Sequence, residues 1–125
     1  MNYRGCSGEN NRLPRTYHAG ETNDLDYVLR WLHLHNPDVP LFAVGYSLGG
    51  NMLLKLLGQK DPKMPLAAAA AVSVPFELSE CASRLEQGLS KIYQHWLIGS
   101  MKKTAIRKAD QQNTGLDIQA LLKAR

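Results

Sequence analysis

A serine set between two glycines joins a short apolar run to a helical pattern, and this arrangement limits the folds open to the sequence. The glycines and serine lie in Gly45-Tyr46-Ser47-Leu48-Gly49. The preceding run, Leu41 to Val44, predicts a strand buried on both faces, as in parallel sheets between helix layers. Apolar residues then recur at helical spacing from Leu48 to Leu57, and Gly58 supplies a stop signal. The sequence therefore predicts a strand, a sharp turn and a helix in direct succession.

The segments on either side extend this unit into an α/β fold. From Glu21 the spacing of apolar residues predicts a helix with Thr22 as its N-cap, ended by Asn36-Pro37. The run Leu66 to Val74 is ambiguous, since its consecutive alanines favour helix while the bracketing prolines mark a length typical of a strand. We interpret it as a strand, which makes a β-α-β unit with two parallel strands.

The remainder of the chain is predicted to be helical. Apolar residues after Pro75 recur at helical spacing, with breaks expected near Gly88 and again near Gly99. A further short helix is expected from Asp117 to Lys123. No additional strand is predicted, so the sheet is thin, and exposed edges and unburied helix faces are expected.

Composition is that of a globular protein. The chain has 125 residues, 44% of them hydrophobic and 21% charged, which fits one modest domain. No apolar stretch reaches the length of a membrane span. Two distant cysteines, Cys6 and Cys81, without metal-ligand spacing favour reduced thiols and a cytoplasmic location. The net charge of +4 comes partly from a cluster that we interpret as a solvated helix face rather than a nucleic-acid site: Lys102, Lys103, Arg107 and Lys108.

The pattern around Ser47 is typical of a nucleophile. An alcohol is a poor nucleophile unless it is exposed beside a base and close to donors for an oxyanion. Gly45 and Gly49 would let the backbone turn sharply, and Gly50 would keep the helix start uncrowded. The amide of Leu48 would donate to the oxyanion, helped by the positive end of the helix. This chemistry needs no metal or organic cofactor.

The other members of a catalytic triad are harder to find. An acid and then a histidine should follow the serine, and His95 is the histidine downstream of it. Glu77 precedes His95, so these two complete a nominal triad with Ser47, although a mid-helix histidine is more often solvated. Asp61 precedes its strand and is expected at the opposite sheet edge. Asp110 and Asp117 have no histidine after them in the sequence. His18, His33 and His35 precede the serine and suit surface roles.

Several motifs together resemble a known family. They are Arg4-Gly5-Cys6-Ser7-Gly8-Glu9, Asn11-Arg12, Tyr17-His18, Gly20-Glu21-Thr22, Asp24 and Gly45 to Leu53. The similarity continues through Val74-Pro75-Phe76 and Tyr93 into Arg107-Lys108, so it covers nearly the whole chain. The chain resembles the YheT-type α/β-hydrolases, bacterial relatives of the ABHD1 and ABHD3 group. The resemblance implies a partial α/β-hydrolase domain over 1–125, with a core at 1–76 and a helical cap-like segment at 77–125.

The same resemblance implies a serine esterase acting on small-molecule or lipid esters, as carboxylesterases and acylglycerol lipases do, with Ser47 as the nucleophile. The family's aspartate, histidine and His-Gly oxyanion loop are expected outside this sequence. The chain departs from the motifs at Asn10, where proline is usual, and at Ala19, where serine is usual. A loop near the site is expected to be shaped by Arg4, Glu9, Arg12 and His18. The competing hypothesis is a noncatalytic remnant or interaction module that keeps the turn as structure.

Overall fold

The computed structural model describes residues 1–59, 61–111 and 114–123, which fall into two compact units. One unit is Tyr17–Phe76, and the other joins Met1–Thr16 to Glu77–Arg125. The elements in chain order are α1 (Asn23–His35), β1 (Leu41–Tyr46), α2 (Leu48–Gly58), β2 (Leu66–Val72), α3 (Leu78–Leu85), α4 (Ser90–Gln111) and α5 (Ile118–Lys123).

Helix α1 begins and ends as the sequence predicts, but its start is capped differently. Thr22 occupies the N-cap position, yet its hydroxyl accepts a hydrogen bond from Gln59 Nε2 at 3.1 Å. The carboxylate of Glu21 instead accepts from the amide of Asn23 at 3.0 Å, which satisfies one of the unpaired N–H groups of the first turn. Acidic residues in the first turn and histidines in the last complement the helix dipole.

The β-α-β unit is present as predicted. Strands β1 and β2 pair in parallel, with Tyr46 opposite Val72 at their carboxyl ends. The alanine run therefore forms a strand, because backbone pairing with β1 outweighs the helical preference of alanine. Strand β2 ends at Val72 rather than Val74, since Ser73 adopts a positive φ of 52° that breaks the extended backbone. Helix α2 ends at Gly58, the predicted stop residue, and includes it as its last residue.

The core of this unit lies between α2 and the sheet. Its buried side chains are Leu29 of α1 and, from α2, Met52, Leu53 and Leu56. On β1 the alternate residues Phe42, Val44 and Tyr46 are 69%, 60% and 69% exposed. The prediction of burial on both strand faces is therefore wrong for this unit, because its helices cover one face and successive side chains point to opposite faces. The expected unburied helix faces are present on α1, where Tyr27, Trp31 and Leu34 are exposed.

In its described residues, the second unit consists of three helices and the N-terminal segment. Gly88, with φ of 53°, separates α3 from α4 as predicted, whereas the predicted break at Gly99 is wrong. A single glycine costs a helix only about 1 kcal/mol, which the surrounding helical residues offset. Lys108 of α4 is 5% exposed, so it does not belong to a solvated face. Its ammonium donates to Asn11 Oδ1 at 2.9 Å and to the Arg15 carbonyl at 2.8 Å.

Candidate functional site

Ser47 lies between β1 and α2 in a strained backbone conformation. Its φ of 48° and ψ of −122° fall outside the left-handed helical well that non-glycine residues occasionally occupy. Such a conformation costs about 1–3 kcal/mol and is found mostly at functional sites. The side chain is exposed, while the amide donates to the Val72 carbonyl at 2.9 Å and the carbonyl accepts from the Asn51 amide at 3.1 Å. The backbone is therefore fixed on both sides of a freely accessible hydroxyl.

Two glycines make the turn possible by removing side chains from the crossing of strand and helix. A Cβ atom on Gly45 would lie 2.7 Å from the Gly49 carbonyl oxygen and 2.7 Å from the Gly50 Cα. A Cβ atom on Gly50 would lie 2.9 Å from the Gly45 carbonyl oxygen and 2.8 Å from Val74 Cγ2. The strand end at Gly45 thus approaches two neighbours equally closely, the Gly49 carbonyl and the Gly50 Cα.

Leu48 is the first residue of α2, directly after the serine. The first N–H groups of a helix have no acceptor within it, and they carry a partial positive charge. The first turn of α2 has no acidic residue that would cancel this charge. Backbone donors next to an exposed hydroxyl are an arrangement that can stabilise the oxyanion formed on a carbonyl oxygen when that hydroxyl attacks the carbonyl carbon.

A row of polar side chains on α2 and its C-cap residue holds the segment 19–22 along the helix. The row consists of Asn51, Lys55 and Gln59, spaced four residues apart so that they share one face. They donate in turn to the Ala19 carbonyl at 3.0 Å, the Gly20 carbonyl at 2.9 Å and the Thr22 hydroxyl at 3.1 Å. Sequence reasoning missed this row, although regularly spaced polar residues in an apolar helix are a signal for it.

The histidines that precede Ser47 make local contacts. His18 Nδ1 accepts from the Gly20 amide at 3.1 Å. His35 stacks on Trp31, with ring centroids 4.2 Å apart, and its Nδ1 lies 2.8 Å from the Trp31 carbonyl oxygen. His33 is exposed near the end of α1. These placements agree with structural or surface roles.

Asp61 precedes β2, so it lies at the sheet edge opposite the one that Ser47 follows, as expected. Its carboxylate accepts hydrogen bonds from the Lys63 amide and from Arg30. These bonds hold the pKa of Asp61 below its ordinary value, the Lys63 amide having the larger effect. Asp26 and Asp61 together raise the pKa of Arg30. The acid therefore anchors α1 to the loop before β2.

The acidic and histidine candidates after β2 belong to the other unit. Glu77 directly precedes α3, and His95 lies in the middle of α4 with an exposed side chain. Asp110 is exposed near the end of α4. Asp117 precedes α5, where its carboxylate accepts from the Ala120 amide at 2.9 Å. The triad of Ser47 with Glu77 and His95 stays a prediction.

Other features that bear on ligand binding in the described part of the chain are its free thiols and its surface grooves. Within it, no three histidine, cysteine or acidic side chains are grouped closely enough to hold a metal ion, and no helix has the length and apolar character to cross a bilayer. Cys6 and Cys81 are exposed free thiols. Two open grooves, one on the outer face of α1 and one beside the beginnings of the strands, are not lined by Ser47.

Comparison with known proteins places this geometry in a family. The sequence profile of the alpha/beta hydrolase fold matches residues 1–123. The chain is 49% identical over 108 residues to YheT of Escherichia coli (strain K12), a protein named for an inferred esterase activity, and 37% identical over 108 residues to phospholipase ABHD3 of Bos taurus. It is also 32% identical over 82 residues to monoacylglycerol lipase of Saccharomyces cerevisiae.

These alignments cover 86%, 86% and 66% of this chain but 32%, 26% and 18% of the relatives, so the chain spans at most about a third of their length. No solved structure matches it. The matched profile and the identity to YheT show that this chain belongs to the α/β-hydrolase fold family and resembles the YheT and ABHD3 proteins within it.

Proposed function

We propose that the protein is a serine hydrolase of carboxylic esters in which Ser47 is the nucleophile. The observation that carries the proposal is the exposed hydroxyl on a strained backbone, directly before the start of a helix. A protein would not retain a conformation that costs about 1–3 kcal/mol unless the surroundings enforce it, and such strain clusters at active sites. The esterase and lipase names of the relatives support the same class of reaction.

The proposed reaction passes through an acyl-enzyme. Ser47 Oγ loses its proton to a base and forms a bond to the ester carbonyl carbon, and the carbonyl electrons move onto the oxygen. The Leu48 amide donates to that oxyanion. When the carbonyl re-forms, the C–O bond to the alcohol breaks and the alcohol leaves with a proton. Water then attacks the acyl-enzyme in the same manner, which releases the acid and restores the hydroxyl.

The same proposal assigns the residues that shape the turn, the class of substrate and the location of the protein. Gly45 and Gly49 shape the turn that presents Ser47, and residues 77–125 are a helical cap-like segment. The substrates are small-molecule or lipid esters, including acylglycerols, and the acid and base of the triad come from sequence outside this chain. A cytoplasmic location is supported by the two exposed free thiols.

Labelling with a fluorophosphonate probe tests activation of the nucleophile directly. The 125-residue chain and a version extended by its flanking coding sequence should be compared, each with Ser47→Ala. Ser73→Ala is a matched control, because Ser73 is also exposed and has a positive φ of 52°, but it does not precede a helix. We expect the extended chain to label, Ser47→Ala to abolish labelling, and Ser73→Ala to leave it unchanged.

The pattern of labelling separates the alternatives. Labelling of the 125-residue chain would show that a base lies within it, and Glu77 and His95 would be mutated next. Labelling of the extended chain alone would place the base outside these residues. If neither chain labels, the nucleophile assignment is wrong, and the turn at Ser47 is structural, as in a noncatalytic interaction module.

A further inference from the structure

Helix α4 exposes an apolar surface on its first half. Ile92, Tyr93 and Trp96 are 72%, 54% and 65% exposed, and Leu89, directly before the helix, is 86% exposed. The rings of Tyr93 and Trp96 stack with centroids 6.1 Å apart. At 3.6 residues per turn, the three helical positions fall within about 100° of one another, which is the width of an amphipathic stripe.

The same face becomes basic in the second half of the helix. Lys103 and Arg107 follow Trp96 by seven and eleven positions, which places them in line with it, and both are exposed. The sole acidic residue of α4, Asp110, is exposed at the far end of the same face, three positions after Arg107, so Lys103 and Arg107 leave this half of the face with a net charge of +1. We define this continuous surface, Ile92, Tyr93, Trp96, Lys103 and Arg107, as the α4 outer face.

The opposite side of α4 packs against its own unit. Leu97, Ile98 and Ala105 are half-buried, and Lys108 is buried with its ammonium bonded to Asn11 and Arg15. The helix therefore has apolar residues on two sides, and the α4 outer face is the side that its own unit does not cover. The α4 outer face also carries basic residues, whereas the exposed face of β1 is apolar, as is typical of sheet surfaces that helices cover in α/β proteins.

We propose that the α4 outer face binds the surface of an anionic phospholipid bilayer. Exposed aliphatic and aromatic side chains suit the boundary between headgroups and acyl chains, where tryptophan and tyrosine are favoured. The aligned Lys103 and Arg107 complement anionic headgroups, and the net charge of +4 adds a longer-range attraction. The helix lies along the bilayer plane, since it lacks the apolar length to cross.

Nucleic acid fits the same face less well. Binding of single strands requires aromatic rings interleaved with cations so that successive bases can stack along a basic groove. Here Tyr93 and Trp96 lie in one half of the helix, Lys103 and Arg107 lie in the other, and aliphatic Ile92 takes a place that a base cannot use for stacking. The segregation of apolar and basic residues favours lipid.

Vesicle flotation with the complete chain tests this surface. The two vesicle types are phosphatidylcholine alone and equal amounts of phosphatidylcholine and phosphatidylglycerol. We expect binding to the anionic vesicles only, and weakening as salt is raised towards about 0.5 M. Neutralising the cations in Lys103→Gln/Arg107→Gln should weaken binding by about fivefold for each residue. Ile92→Ser/Trp96→Ser should abolish it, because insertion needs the apolar half.

Matched controls use exposed residues of the same helix that lie off this face. Met101, 61% exposed, and Lys91 point elsewhere, so Met101→Ser and Lys91→Gln should bind as the original chain does. Helical content by circular dichroism checks that each variant is folded. In a Trp31→Phe background, Trp96 is the single tryptophan, and its emission should shift to shorter wavelength on anionic vesicles.

Four outcomes would overturn the inference. They are no binding to anionic vesicles, equal loss in the control variants, tighter binding to an oligonucleotide than to vesicles, and a dimer in light scattering that buries Trp96 and excludes vesicles. Ser47→Ala should bind vesicles normally, so failure of lipid binding and failure of the proposed catalysis are distinguishable.

Discussion

Replacing Gly45 by alanine tests the close crossing of β1 and α2. The added Cβ would lie 2.7 Å from the Gly49 carbonyl oxygen, 2.7 Å from the Gly50 Cα and 2.8 Å from the Gly50 amide nitrogen. All three are backbone atoms, so no side chain can rotate away to relieve the clash. The helix start must move from the strand end instead.

The expected cost follows from this geometry. Overpacking of a well-packed region costs about 1–3 kcal/mol, and contacts with backbone place Gly45→Ala at the upper end of that range. Alanine recovers up to about 1 kcal/mol by restricting the unfolded chain. A net loss of about 2 kcal/mol corresponds to a melting temperature lowered by roughly 8 °C for a domain of this size. Thermal unfolding followed by circular dichroism measures the shift.

Gly58→Ala is the matched control, because Gly58 is the last residue of α2 and nothing lies within 4 Å of an added Cβ. Alanine there should leave stability unchanged or raise it by up to about 1 kcal/mol. If Gly45→Ala melts at the same temperature as Gly58→Ala, the strand and helix are not in contact at Gly45, and the reasoning about the turn fails.

Two further predictions concern the supports of the site. Asn51→Ala should lower the free energy of unfolding by about 1 kcal/mol, because the hydrogen bond to the Ala19 carbonyl is lost. Hydrogen exchange at the backbone amides of residues 19–22 should become faster. Unchanged exchange there would contradict the proposed role of the polar row. Asp61 has a folded-state pKa below 3.8, so its stabilisation is present above pH 3.8 and is lost as pH falls through the folded value. The stability difference between the original chain and Asp61→Asn should therefore shrink in acid urea titrations, and a difference independent of pH would refute this assignment.

Local patterns sufficed for most element positions. The helical spacing after Glu21 gave α1, and the Asn36-Pro37 pair marked its end, because proline restricts the residue before it. The break at Gly88 also followed from the sequence. The predicted break at Gly99 was wrong, since a lone glycine is a weak signal inside a long helix that the packing of its other residues supports.

The alanine run shows where local preference stops being decisive. Residues of this composition favour helix in isolation, and only pairing with β1 makes them a strand. The early end of β2 at Ser73 likewise depends on the turn beside Ser47, whose amide bonds to Val72. The strand conformation of the alanine run and the end of β2 both depend on residues far apart in the chain. A short window of sequence therefore cannot predict either of them.

The sequence by itself determined the strand, turn and helix around Ser47, because glycine placement and apolar spacing act over a few residues. Tertiary structure alone decided how closely the backbone of Gly45 approaches that of Gly49 and Gly50, that Asn51, Lys55 and Gln59 hold the segment 19–22, and which sheet face is covered. The physical reason is that close approach, burial and hydrogen-bond partners depend on which distant segments meet.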